Sequence, residues 1–418
     1  MNLSRRDLLR LGTSSLVACG AGAPLFLARA ARAVAAGPGT RAKGRALVVI
    51  QLDGGNDGLN TVVPFKDDDY RKARPRLQVA ERAVLKVDDR VGFHPGLAGF
   101  AKLLERGQLA VVQSVGYPNP SRSHFESMAT WHTAKAGARG DAPGWLARAL
   151  DATAAPPGGD VPAIHLSIEA QPQPQALAGA QRHVPSLPSL EQFRRRLGIP
   201  EAAGASEQRV ALDQLARREH GRPGSLLNFV ERSASLSYES SARFDHMVAA
   251  GSGADYPQNG LARRLRVIAQ LIKAGLTTAI YYTQLGGFDT HAAQAGVHGG
   301  LLFELGSSLQ AFLGDLVKSG DGGRVVVLVF SEFGRRLAEN ASAGTDHGTA
   351  APLFLAGPAV KAGLHGPYPD LHDLADGDPK FAVDFRRVYA TLLDRWLGCP
   401  AEIVLGAKFP HLPVLQKA

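Results

Sequence analysis

The sequence predicts an α/β protein built on a doubly wound, mostly parallel sheet that carries a mainly helical insertion. Two observations predict it. Nearly continuous apolar runs, suited to strands buried on both faces, alternate with segments of helical period. Several of these runs also stop at Gly, Asp, Glu or His, as strands do where a parallel sheet opens into loops.

Near its N-terminus the chain of 418 residues carries Ser4-Arg5-Arg6-Asp7-Leu8-Leu9-Arg10, a close variant of the twin-arginine export consensus. A weakly apolar stretch over 11–27 and then small residues follow, which is the architecture of a signal peptide. Ala31-Arg32-Ala33 is the best cleavage triplet and Ala28-Arg29-Ala30 the second, because signal peptidase needs small flanking side chains. Gly12, Gly20, Gly22 and Pro24 argue against a structural amphipathic helix here. Residues 1–33 are therefore expected to be a twin-arginine signal peptide, with the twin-arginine translocase as partner during export and the periplasm or medium as destination. Leu16-Val17-Ala18-Cys19 also has the form of a lipobox, which would leave a lipidated Cys19. The short apolar stretch before it holds Arg10, which favours soluble release.

Residues 34–44 read as a flexible Gly- and Ala-rich tether. The run 46–52 then ends in Asp53-Gly54-Gly55, as a buried parallel strand does at a loop. A helix-like 101–106 precedes the run 109–115, and 163–168 forms a third candidate strand. The helical 261–274 precedes Thr277-Thr278-Ala279-Ile280-Tyr281-Tyr282, and the helical 301–318 precedes 325–330. From about 171 to 260 the pattern weakens into Pro- and Gln-rich sequence and polar helical stretches, a cap-like insertion in one domain over 45–418.

Removing the signal leaves about 385 residues, enough for one large domain with a sizeable core. The net charge of +9 falls with it to about +5, too diffuse to suggest nucleic acid. Arg194-Arg195-Arg196 is most simply a solvated helix face, with an anionic-ligand role as the alternative. Only Cys399 remains of the two cysteines, so neither an intramolecular disulfide nor a thiolate metal site is expected. No later segment approaches about eighteen uninterrupted apolar residues, so the mature form should not span a membrane.

Chemistry-bearing residues gather at the strand ends. Asp53 ends the first run, Asp289 and His291 follow the strand near 277–284, Glu332 ends 325–331, and Asp346-His347 precede Pro352-Leu353-Phe354-Leu355. In a doubly wound sheet such loops share one edge, and mixed O and N donors suit a divalent metal: zinc, manganese or magnesium. Each has a structural alternative: a turn cap for Asp53, an Asx-turn for Asp289, an ion pair with Arg335 or Arg336 for Glu332, a loop hydrogen bond for His347.

Six segments in order carry a resemblance. They are Gly54-Gly55-Asn56-Asp57-Gly58-Leu59-Asn60-Thr61-Val62-Val63-Pro64; Ser121-Arg122-Ser123-His124-Phe125-Glu126; Gly287-Phe288-Asp289-Thr290-His291; Ser331-Glu332-Phe333-Gly334-Arg335; Thr345-Asp346-His347-Gly348; and Val383-Asp384-Phe385-Arg386. The chain resembles the domain-of-unknown-function family 1501, placed within the alkaline phosphatase and sulfatase superfamily. That resemblance implies an alkaline phosphatase-like fold and a metal-dependent hydrolase of small anionic phosphate or sulfate esters. A non-catalytic binding or envelope-assembly protein on the same fold is the alternative.

By this resemblance Asp53 corresponds to the acid after the first strand. Asp289 and His291 resemble the Asp and His of one metal site, at a shorter separation than the usual four-residue spacing. Glu332 stands where a strand-end Asp-His pair would be, with Phe333 in place of its His, and His347 resembles the late His before the next strand. The resemblance thus implies one site from Asp289, His291 and His347 and a less complete one around Asp53 and Glu332. Pro120-Ser121-Arg122 echoes the Pro-Ser-Arg of sulfatases, but Pro118 occupies their nucleophile position, which argues against modified-Cys chemistry. Ser121 or Ser123 then becomes the candidate nucleophile, with Arg122 and His124 contacting the anion. Ser121 capping the helix that holds His124 is the alternative. Asn56 and Asp57 are further candidates, unless their glycines merely serve a tight turn.

Overall fold

The computed structural model describes residues 44–138, 142–153, 161–167, 172–182, 184–187 and 254–416. The predicted signal peptide with Cys19, nearly all of the tether, Ile168, the Arg194-Arg195-Arg196 run and most of the predicted insertion lie outside the described residues.

In chain order the strands that matter are β1 (Ala46–Leu52), β2 (Leu109–Gly116), β3 (Ala163–Leu166), β4 (Ser186–Leu187), β5 (Ile280–Leu285) and β6 (Val325–Ser331). They are followed by β7 (Arg335–Glu339), β8 (Thr345–His347), β9 (Ala351–Ala356), β10 (Gly363–His365) and β11 (Val383–Asp384). The main sheet has nine strands in the order β10-β2-β9-β6-β1-β5-β3-β4, with β11 also on β2. Pairing is parallel throughout except at β9, which runs antiparallel between β2 and β6. The predicted doubly wound, mostly parallel α/β sheet is the fold. Strands β7 and β8 form a separate antiparallel ribbon in which Arg335 faces His347.

Alternation along β1 shows why both faces are covered. Val48, Ile50 and Leu52 enter one core with Phe100, Leu265 and Leu305, whereas Leu47 and Val49 enter a second with Trp131, Leu146 and Tyr389. The first core is closed by α1 (Ala98–Glu105), α4 (Gly260–Lys273) and α5 (Gln294–Lys318). The second is closed by α2 (His124–Thr133), α3 (Trp145–Ala152) and α6 (Phe385–Thr391). With apolar side chains buried on alternate faces, every residue of β1 is buried, which is why it reads as a continuous apolar run.

Two boundaries differ from expectation. The strand expected over 277–282 runs over Ile280–Leu285, because Thr278 turns its hydroxyl to the Val161 carbonyl at 2.8 Å before the ladder begins. The stretch read as an insertion from about 171 contributes β4, an edge strand paired in parallel with β3. Cys399 is a buried free thiol, pushed up to about 11 by burial. No helix among the described residues is long and apolar enough to cross a membrane.

Candidate metal centre

Four parallel strands deliver the polar residues to one edge. β1 leads to Asp53, β5 to Asp289, β6 to Glu332, and β2 through a short loop to His124 at the start of α2. The ladder continues past the strands, since Asp53 N–H donates to the Leu285 carbonyl and Phe288 N–H to the Asp53 carbonyl, both at 3.0 Å. Gly54 and Gly55 have φ of 115° and 72°. A Cβ on Gly54 would lie 2.4 Å from the Asp289 nitrogen, and one on Gly55 would lie 2.2 Å from the Phe333 ring. This glycine pair therefore lets the β5 loop and Phe333 close over the end of β1.

One atom of each of His124, Asp289 and His347 lies within 4.8 Å of the others. His347 Nε2 is 3.1 Å from Asp289 Oδ1, and His124 Nε2 is 3.5 Å from Asp289 Oδ2. Both imidazoles are oriented from behind. His124 donates Nδ1–H to Glu332 Oε1 and His347 donates Nδ1–H to the Arg122 carbonyl, each at 2.8 Å. Those bonds assign the lone pair of each ring to Nε2, the atom turned toward Asp289. His124 Nε2 is buried with no hydrogen-bond partner among the described residues.

These features fit a divalent cation. Two donors on one zinc stand about 3.3 Å apart, so a set lying within 4.8 Å would close by up to about 1.5 Å. The residues that would hold it are His124, Asp289 and His347. His291 flanks them, with Nε2 at 2.8 Å from His347 Nε2 and 3.0 Å from Asp289 Oδ1. Because the Nδ1 proton of His347 is engaged by the Arg122 carbonyl, its Nε2 accepts there and His291 Nε2–H donates.

Arg335 underlies the centre, its side chain fully buried. It donates to Asp289 Oδ1 at 2.7 Å, to the Gly55 and Thr345 carbonyls at 2.7 Å each, to the Phe288 carbonyl at 3.1 Å, and to the Gly54 carbonyl. Burial raises the Asp289 carboxyl, but the hydrogen bond and charge of Arg335 outweigh it, and the carboxyl is brought to about 2. The same balance holds Glu332 below the usual carboxylate range: burial is outweighed by His124, Ser331 and the Gly54 N–H. The Glu332 hydrogen bond in turn keeps the His124 imidazole above its ordinary value.

Asp53 stands apart from the donors. It lines a cavity of about 470 Å³ whose other walls include His124, Asp289, Glu332, Phe125 and Met128. Burial pushes its carboxyl up to about 6, partly offset by a hydrogen bond from the Gln51 amide. That amide is held from below, because Gln51 Oε1 accepts from Tyr282 OH and from His132 Nε2, the latter at 2.7 Å. Burial drives His132 down to about 4, so it is neutral and its Nε2–H is the donor.

Several residues that the sequence puts forward are engaged elsewhere. The Arg122 guanidinium binds Asp378 at 2.7 Å and Asp376 at 2.9 Å, and only its carbonyl reaches the centre. Ser121 Oγ donates to Glu126 Oε2 at 2.7 Å and accepts the Ser123 N–H at 3.1 Å. The N-cap of α2 is Ser123, not Ser121, and its side chain makes no capping bond. Asn56 and Asp57 are buried, and Asp57 is salt-bridged to Arg74 at 2.6 Å. Glu332 pairs with His124 and not with Arg335 or Arg336. Sequence reasoning missed the Gln51, His132 and Tyr282 support, and it missed the burial of Arg335, although Arg335 closes one of the six recognised segments.

Among curated proteins none matches this chain. Solved structures with loosely similar folds include the lipoteichoic acid synthase LtaP from Listeria monocytogenes, at 10% identity and TM-score 0.33, covering 78% of this chain and 67% of that one. Alkaline phosphatase from the Antarctic bacterium TAB5 gives 11% and 0.31, with 77% and 93% covered. Phosphonate monoester hydrolase SpPMH from Silicibacter pomeroyi gives 11% and 0.34, with 88% and 77% covered. At such values they say nothing of what this chain acts on. The sequence model described as "Protein of unknown function (DUF1501)", in contrast, matches residues 44–404, from just before β1 to beyond α6, and the chain belongs to that family.

Proposed function

We propose that the protein is an exported, metal-dependent hydrolase of a phosphate or sulfate ester. The observation that carries this reading is the three-donor set of His124, Asp289 and His347, with both imidazole tautomers preset and one Nε2 left without a partner. A divalent cation held there would supply Lewis acidity and make water a nucleophile near neutral pH. Two imidazoles and one carboxylate favour zinc or manganese over magnesium.

The chain's own part is positioning and proton transfer. Asp289 brings the charge, Glu332 and the Arg122 carbonyl hold the two rings, and Arg335 fixes Asp289. Asp53 takes a proton from the attacking water as its oxygen bonds to phosphorus or sulfur. The bond from phosphorus or sulfur to the ester oxygen then breaks, and the leaving oxygen takes the proton held by Asp53, so the net change is addition of water across the ester and Asp53 is returned to its basic form. The Ser121 hydroxyl is given to Glu126, and water is taken as the nucleophile over the Ser123 hydroxyl, so Ser123→Ala should leave turnover intact.

The test uses protein purified without chelator. Elemental analysis should find zinc or manganese, and an aryl phosphate or an aryl sulfate should be cleaved. Burial sets the Asp53 carboxyl at about 6 and a bound dication would lower it, so the rate should fall on acidification with its acid limb at or below that value. Asp53→Asn should lose that acid limb and about 10²–10⁴-fold in rate. The engagement of Arg122 by two aspartates and of Ser121 by Glu126 favours a second reading, a non-catalytic binding protein, and bound metal without cleavage of either ester class would establish it. Export is tested by replacing Arg5 and Arg6 with Lys; an unchanged periplasmic yield would mean another route.

A further inference from the structure

The cavity beside the centre has a second wall with a different chemistry. Phe125, Met128, Ala129 and His132 follow one another at helical spacing along α2 and line it together. Phe125 is 89% exposed although it stands at the mouth of this cavity, and Met128 and Ala129 are half-buried. A bare aromatic ring and a thioether offer the face of a flat apolar group stacking and sulfur contacts. The volume of about 470 Å³ suits a small molecule, not a macromolecule.

Charge supplies the other half of the argument. No Lys or Arg is among the described residues that line the cavity. Arg122 is bound to Asp376 and Asp378, and Arg335 directs its donors to Asp289 and four carbonyls. Asp289 and Glu332 would offset a dication, and the ionised Asp53 offsets the Arg335 charge, so the described residues leave no spare positive charge to pair a second charge on the substrate. A phosphate monoester dianion would have its second charge unpaired against a floor that also holds Asp53.

We infer that the site selects singly charged esters bearing an aromatic ring, such as aryl sulfates or aryl phosphodiesters, over phosphate monoester dianions. This rests on the hydrolase reading for the identity of the site. Phe125 and Met128 receive the ring while the charged group faces Asp289 and His124.

The test is calorimetric, on zinc-loaded protein, with three inert probes. Benzenesulfonate carries a ring and one charge, methanesulfonate one charge and no ring, and phenylphosphonate at alkaline pH a ring and two charges. Benzenesulfonate should bind about 10-fold more tightly than methanesulfonate, and more tightly than phenylphosphonate. Phe125→Ala should shrink the gap between the two sulfonates by about 3–10-fold, whereas Ile403→Ala, an exposed residue outside the cavity, should keep the gap. Equal affinities for the two sulfonates, tighter binding of phenylphosphonate, or no binding of any probe would overturn the inference. The ranking is read from binding alone, so a lack of ester cleavage in the same protein counts against the hydrolase reading instead.

Discussion

Arg74→Met should destabilise the protein by about 3–5 kcal/mol, the cost of leaving a buried charge without its partner. The Arg74 and Asp57 side chains are both fully inaccessible and 2.6 Å apart. Arg74 also donates to Asn60 Oδ1 at 2.9 Å and to the Leu337 and Arg336 carbonyls at 2.8 Å each. Methionine fills the volume but returns none of these bonds. In the native protein burial raises the Asp57 carboxyl, while the Arg74 and His298 charges and the hydrogen bonds of Arg74 and Gln294 outweigh it, leaving it lowered. A lowered carboxylate contributes stability above its unfolded value and loses it as the pH falls through its folded value. Without Arg74 the burial effect dominates and Asp57 moves up. The deficit in urea unfolding should therefore be largest at neutral pH and shrink on acidification, as Asp57 becomes neutral. A loss under about 1 kcal/mol, or one independent of pH, would mean that the pair is well solvated.

His347→Ala should weaken zinc binding by about 100-fold or more in a chelator-competition titration, with the fold retained and ester cleavage lost in step. His347 is nearest to Asp289 of the oriented imidazoles, and it lies on a ribbon whose opposite residue, Arg335, is anchored independently. His124→Ala should behave alike. Glu332→Gln keeps an acceptor for His124 Nδ1–H but removes its charge, and should cost about 10–100-fold. His291→Ala should cost less than either, because its Nδ1 sits at a long 3.4 Å from Asp346 and its ring is not fixed for donation. A larger effect at His291 than at His124 would move the third donor to the other side of Asp289, and unchanged affinity in all three His variants would remove the centre altogether.

How much of the site can be read from the sequence differs by residue. Asp53, Asp289 and Glu332 are visible at the edge because parallel strands must all end on the same side, so a run of apolar residues followed by an acid already states a location. His124 is visible only as a candidate anion contact. Its place among the donors depends on β2 standing parallel to β6 across the antiparallel β9, a sheet order that no local pattern expresses. The role of Glu332 is hidden for another reason: whether a carboxylate faces a cation or holds a histidine is decided by a few ångströms of side-chain reach. Arg122 shows the same limit, since its partners Asp376 and Asp378 come from a distant segment and claim the guanidinium that its motif offers.

The pairing of β1 has a consequence for how the chain comes to be folded. Val48 lies between Tyr281 on one side and Val327 on the other, so the central strand has both of its neighbours far downstream. A ribosome delivering the chain in order produces β1 long before anything can pair with it, and such non-local ladders form slowly. Until Val325–Ser331 has been made, one edge of this fully buried central strand stays open to other chains. Fragments ending before that segment should therefore aggregate, whereas loss of residues after Val414, beyond the last fully buried side chain, should be tolerated.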